Sequence, residues 1–314
     1  MDKYVFDQID ILLIDPERSV RNAIRNVLID NGFRHVTLGT GMSDIDSKFR
    51  IGMPDLLIAD TKLKDGNLNK FVYELRHHVI GTNPFMPVIA TAWSPTTDDV
   101  RAIVQSGADD MITKPLSAGQ ILQRINGLIR ARKPFVVTSG YIGPDRRKPG
   151  KDHDRGMNID PIEVPNVLRA KAVGEKRMDV QQIQAQIDAC IKKVNLEKLD
   201  RHAHQITWLV DRIVPGLAFG GPDEDTRKSL NRLLYVGEDV ARRMIGTRFE
   251  HVGDLCKSLI DVTHRIIDAG DFPVPKDIDL LKPLAQSIQR GFDVRDKDAA
   301  RAAREISNTV SVKP

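Results

Sequence analysis

Two carboxylates and one amine hold matching places in the first third of the chain. Asp15 closes the apolar run at residues 10–15, Asp60 closes the run at 55–60, and Lys114 follows the run at 110–113. A fourth run, at 86–92, ends in the pair Thr91 and Ala92. Two ionised acids brought together out of water repel each other. Such a cluster is costly unless a bound cation, or an ammonium such as that of Lys114, offsets it.

The elements between these residues bring them together. After the run at 10–15, residues 17–31 place Val20, Ile24, Val27 and Leu28 at helical spacing, and Asn31-Gly32 stops the pattern. Strand signals at 34–39, 55–60, 86–92 and 110–113 alternate with helical signals at 43–51, 67–78, 96–106 and 117–131. Continuous apolar strands belong in a parallel sheet covered on both faces, so the spacing predicts an α/β fold with a doubly wound, five-stranded parallel sheet. In such a sheet, groups at the carboxyl ends of the strands converge on one crevice. Asp15, Asp60, the Thr91-Ala92 pair and Lys114 all fall at those ends.

Residues 9–131 resemble the receiver domain of two-component response regulators, a flavodoxin-like fold. The resemblance rests on Leu12-Leu13-Ile14-Asp15, on Pro54 through Asp60, on Leu63-Lys64-Asp65-Gly66, on Pro87-Val88-Ile89, on Ser106 through Asp110, and on Lys114-Pro115, in that order and spacing. It implies that Asp60 is the phosphoacceptor, taking a phosphoryl group from a histidine kinase or phosphotransfer protein as an acyl phosphate. It implies a Mg²⁺ ion held by Asp15, Glu17, Asp60 and the backbone carbonyl of Lys62, with Lys114 gripping a phosphoryl oxygen. It also implies a two-state surface around the fourth helix and fifth strand. Self-phosphorylation and dephosphorylation are the only catalysis implied.

The sequence departs from the family pattern at named positions. Pro16 stands where a second acid usually ligates the metal, with Glu17 as a partial substitute. Counting from Pro87 and back from Lys114 puts Ala92, not Thr91, at the switch hydroxyl position. Met111 stands at the aromatic switch position, and Lys64 where proline is frequent. Two readings follow: phosphorylation of Asp60 with altered metal dependence, or a pseudo-receiver adaptor that binds partners without phosphoryl chemistry.

Residues 132–177 change in character. They carry Pro134, Pro144, Pro149, Pro161 and Pro165, and residues 131–177 hold eleven Lys/Arg against six Asp/Glu. We read a basic linker, ordered around 134–138 and disordered near 148–157. The segment 132–147 resembles a stretch that follows receivers in some alphaproteobacterial regulators. It fits docking on the receiver, signal transmission, or an extended arm with a solvated basic end. Residues 178–314 read as an all-α bundle of four to six helices, with breaks at Pro215-Gly216, Gly220-Gly221-Pro222 and 271–275, a helix at 276–292 and a last one at about 296–309.

The bundle suggests an output that binds another protein or a second copy of the chain. A phosphotransfer relay would need an exposed helical histidine. His202, His204, His251 and His264 lie on predicted helices, and His251 is the best of them, although the lysine-glycine pair expected after such a histidine is absent. The other three read as ordinary surface or cap-side histidines. A DNA-binding transcriptional regulator would need a basic recognition helix, whereas 223–248 mixes Arg227, Lys228, Arg232, Arg242, Arg243 and Arg248 with Glu224, Asp225, Glu238 and Asp239. That mixture, and a net charge of only +4, argue against nucleic acid. Cys190 and Cys256 sit among helix-spaced apolar residues and read as small buried hydrophobes. No apolar run reaches membrane-spanning length and no leader is evident, which predicts a cytoplasmic protein.

Overall fold

The computed structural model describes residues 4–147, 159–174, 180–217, 221–245, 247 and 249–292. The chain divides into two compact units, Met1–Val194 and Asn195–Pro314.

In the first unit five parallel strands form one sheet. β1 (Asp10–Ile14), β2 (His35–Gly39), β3 (Leu56–Asp60), β6 (Val88–Trp93) and β7 (Asp110–Lys114) lie in the order β2-β1-β3-β6-β7. Helices α1 (Arg18–Asp30), α2 (Met42–Ile51), α3 (Leu68–Arg76), α4 (Thr97–Ser106) and α5 (Ala118–Ala131) alternate with them. β3 is buried along its whole length, as its unbroken apolar run requires. One layer of core joins Ile11, Leu13, Ile58 and Ile89 to Ile24, Ile121 and Ile125. The other joins Leu12, Leu57 and Val88 to Leu68, Val72 and Ile103. Thr96 and Ser117 cap α4 and α5 through reciprocal bonds with Asp99 and Gln120, the Ser/Thr-x-x-Asp/Gln arrangement that fixes where a helix starts. The doubly wound α/β reading holds, and a two-residue ribbon, β4 (Lys62–Leu63) with β5 (Gly66–Asn67), is added in the loop after β3.

The stretch read as a linker contains structure that the sequence reading did not resolve. β8 (Phe135–Val137) and β9 (Ile142–Pro144) form an antiparallel ribbon, bridged to Ile162, and α6 (Val167–Ala172) follows. Leu168 and Ala172 join the core beside α5. Asn166 and Arg169 donate to the carbonyls of Leu128, Ile129 and Arg130, groups at the end of α5 that have no partner within their own helix. The ribbon packs on the loop between α4 and β7. Gly107 has φ +91°, and a Cβ there would meet the Ile142 carbonyl oxygen at 2.6 Å. Arg146, from the basic run, donates to the Ala108 carbonyl at 2.6 Å. The stretch expected to be disordered near 148–157 lies outside the described residues.

α7 (Val180–Leu217) contains the unit boundary. Its early residues Ile187, Cys190 and Val194 pack with Phe135 and Ile142 in the first unit. The second unit takes the rest of α7 with α8 (Glu224–Met244), α9 (Glu250–Asp268) and α10 (Pro275–Gly291) around a core of Ile206, Ile213, Val236, Val252, Leu259 and Leu284. The break expected at Pro215-Gly216 is absent: α7 continues to Leu217, because so near its end a proline removes little of the hydrogen-bond ladder. The helix expected at 296–309 lies outside the described residues. Cys190 and Cys256 are buried and unpaired, and burial pushes the Cys190 thiol up to about 11 and the Cys256 thiol higher still.

Candidate functional site

Asp15 follows β1, Asp60 ends β3 and Lys114 ends β7, and the parallel register brings all three to one rim of the sheet. The Lys114 ammonium pairs with Asp15 Oδ2 and with Asp60 Oδ2 at once. All three are deeply buried, at 0%, 4% and 4% exposure. The remaining carboxylate oxygens accept backbone amides: Asp15 Oδ1 from Glu17 N at 2.8 Å, and Asp60 Oδ1 from Lys62 N at 2.6 Å. Loss of water holds the Asp15 carboxyl above its usual range and the nearby Asp60 charge adds to this, against the pull of Lys114 and the Glu17 amide. The Lys114-Pro115 peptide is cis.

Two negative charges here meet one positive charge. Hard oxygen donors with surplus charge, out of water, suit a divalent cation such as Mg²⁺. Asp15 and Asp60 supply that donor pair. Glu17 does not complete it: its carboxylate accepts the indole N–H of Trp93 at 2.8 Å. Among the described residues no group of three or more His, Cys, Asp or Glu side chains is assembled as a metal site.

Thr91 is paired with Asp60 in the sheet register and Ala92 with Thr113. Side chains of register partners share a face, so Thr91 is on the Asp60 side of the sheet and Ala92 is on the other. Thr91 is 1% exposed. Met111 is half-buried against the layer containing Leu68 and Ile103. Lys64 is exposed.

Sequence reasoning missed Trp93. Its ring also faces the Lys114 ammonium, 5.6 Å from the centroid, a cation–π distance. It missed a second buried charge centre too. Asp109, with a side chain 1% exposed, accepts from Arg76 and Arg132 at 2.8 Å each and from Val88 N at 2.9 Å. Both guanidinium groups lie over the Phe135 ring, at 5.3 and 5.2 Å. The only sequence signal was an acid and two arginines flanking predicted elements.

In the helical unit, His251 is half-buried in the first turn of α9, and His204 and His264 are exposed. His202 is not the surface histidine expected. It is 0% exposed and its Nε2 lies 2.8 Å from Asp239, which Arg242 and Arg243 also contact. A polar stripe on α7 is therefore buried by a complementary acid on α8, which a single-helix pattern cannot reveal.

Residues 11–126 match the family model described as the response regulator receiver domain. The phosphate regulon transcriptional regulatory protein PhoB of Escherichia coli is 32% identical over 130 residues, covering 40% of this chain and 54% of that protein. The KDP operon transcriptional regulatory protein KdpE of the same organism is 28% identical over 124 residues, covering 38% and 51%. The chain thus spans about half the length of the curated relatives it matches. Among solved structures, the receiver domain of a sensor histidine kinase from Pseudomonas aeruginosa, with a magnesium ion coordinated in its active-site cleft, is 24% identical, with a TM-score of 0.34 and coverage of 38% of this chain and 94% of that one. No helix among the described residues is long and apolar enough to cross a membrane.

Proposed function

Because residues 11–126 are a response regulator receiver domain of two-component signalling, we propose that Asp60 accepts a phosphoryl group from a histidine kinase or phosphotransfer protein, and that the helical unit passes the signal on through protein contacts. The observation that carries this reading is the Lys114 ammonium held between Asp15 and Asp60. An Asp60 oxygen bonds to phosphorus as the donor's bond to it breaks, leaving an acyl phosphate. Asp60 needs no base, since a carboxylate is already the nucleophile. Lys114 reaches both acids and can exchange one of those contacts for a phosphoryl oxygen, placing positive charge where negative charge arrives.

Mg²⁺, when bound by Asp15, Asp60 and the Lys62 carbonyl, supplies charge neutralisation between the acids and the phosphoryl oxygens. Pro16 removes one side-chain ligand from that set, so cation binding weaker than with an additional carboxylate is expected. Labelling with acetyl phosphate or a kinase in the presence of Mg²⁺ tests the assignment: wild type labels and Asp60→Asn does not. Equal labelling of the two refutes Asp60 as acceptor.

A pseudo-receiver adaptor is favoured instead by Pro16 in place of a second acid and Met111 at the aromatic switch position. Absence of any labelling, with partner binding retained, selects it. The PhoB and KdpE relatives are named as transcriptional regulatory proteins, which keeps a transcriptional output as the second reading for the helical unit. We favour protein contacts because α8 interleaves acids with its basic residues. Sequence-selective, steeply salt-dependent DNA binding in a gel-shift assay would overturn that choice. His251 as a relay histidine predicts acid-labile label on the helical unit, lost in His251→Gln.

A further inference from the structure

Glu17 and Trp93 are 76 residues apart in sequence and meet at the rim of the acidic site, where the indole N–H donates to Glu17 Oε1 at 2.8 Å. The same ring stands over the Lys114 ammonium, 5.6 Å from its centroid. Trp93 is 41% exposed, so its ring stands at the mouth of the site rather than inside the core. Trp93 thus touches both charged groups that must rearrange when a divalent cation enters. Lys114 has to yield at least one of its two carboxylates, and Glu17 is the one further acid close enough in sequence to Asp15 to add negative charge at the rim.

Resting on the receiver reading, we propose that Trp93 is a latch on the cation site. In the resting protein it holds the Glu17 carboxylate by its N–H and steadies Lys114 by its ring face. Cation loading draws Glu17 off the indole, so Trp93 sets the affinity for Mg²⁺ and reports its binding. Trp93 is a positioning residue in this scheme, acting through Glu17.

The chain has two tryptophans, Trp93 and Trp208, so Trp208→Phe in the full-length protein leaves Trp93 as the sole indole emitter. Titration of this protein with MgCl₂, without any phosphodonor, is followed by emission and by calorimetry. A saturable change in Trp93 emission that tracks calorimetric binding is expected. Trp93→Phe keeps a ring over Lys114 and removes only the N–H. It is expected to bind Mg²⁺ about five-fold more tightly, the worth of one modest hydrogen bond to a charged group at an exposed rim. In a Glu17→Ala background, Trp93→Phe should give no gain. The latch is overturned by an absence of Mg²⁺-dependent emission change, by Trp93→Phe affinity equal to wild type, or by an undiminished gain in the Glu17→Ala background. Asp60 labelling is scored separately. Labelling with an unaltered Trp93→Phe affinity removes the latch and leaves the receiver chemistry, whereas the expected binding pattern without labelling retains the latch and removes phosphorylation.

Discussion

Replacing Asp109 with alanine should be among the most damaging single changes to the first unit. Its carboxylate is the counter-charge for two guanidinium groups that have almost no access to water, with side-chain exposures of 0% for Arg76 and 4% for Arg132. Arg76 keeps hydrogen bonds to the Gly107, Pro84 and Met86 carbonyls, but these offset its charge only in part. Burial already pulls the Arg76 guanidinium down to about 10, with Arg132 adding to that and Asp109 opposing it. Arg132 is more exposed to the loss, since its Nη2 has no partner even in the intact protein. Removing one partner from a buried pair costs about 3–5 kcal/mol. For a unit of this size each kcal/mol is worth roughly 2–4 °C in Tm, so a fall of about 6–20 °C is expected. Thermal unfolding followed by Trp93 emission in Trp208→Phe protein reads this unit by itself. Arg132→Met combined with Asp109→Ala should cost less than the two changes summed, because the double change strands one fewer cation. A Tm within about 2 °C of the parent for Asp109→Ala would refute the reasoning.

Three further outcomes follow from the same structure. Asp15 holds its proton more tightly folded than unfolded, so the stability this proton confers is complete below the ordinary carboxylate range and is lost as pH rises through the elevated value; Asp15→Asn should flatten that loss and raise stability near neutral pH while weakening Mg²⁺ binding, measured by urea unfolding across pH and by calorimetry. Lys198, 0% exposed, is lowered to about 7 chiefly by burial; between there and its ordinary value the unfolded chain binds more protons, so the helical unit should gain up to about 1.4 kcal/mol per pH unit, and Lys198→Met should abolish the slope in Trp208-detected urea unfolding. Gly107→Ala should destabilise the first unit by more than about 1–2 kcal/mol, the usual strain of a left-handed residue with a side chain, because its Cβ also meets the Ile142 carbonyl; an unchanged denaturation midpoint would show that the ribbon yields without cost.

The sheet and its charged rim were legible because the strands that carry the site are apolar runs ending at the residue of interest, as at Asp60 and Lys114. Topology alone then makes neighbours of residues 99 positions apart. The Glu17–Trp93 contact was not legible, because it joins two rim side chains whose directions no periodicity constrains. Order around Phe135-Val136-Val137 was legible from its apolar run, but the β8–β9 pairing was not, because three-residue strands carry too little pattern to show their partner. His202 escaped for the opposite reason. A histidine on a helix reads as solvent-facing, and the acid at Asp239 on a different helix accounts for its burial.

Two arginines lie over the Phe135 ring, and α6 closes the open end of α5. Together these make the heritable piece longer than the family match at 11–126. A chimera that exchanged this receiver at Ala131 would sever Arg132 from Asp109 and uncap α5 in one cut. Recombination that preserves folding has to carry the arm along, so shuffling of such regulators should leave its seams beyond α6.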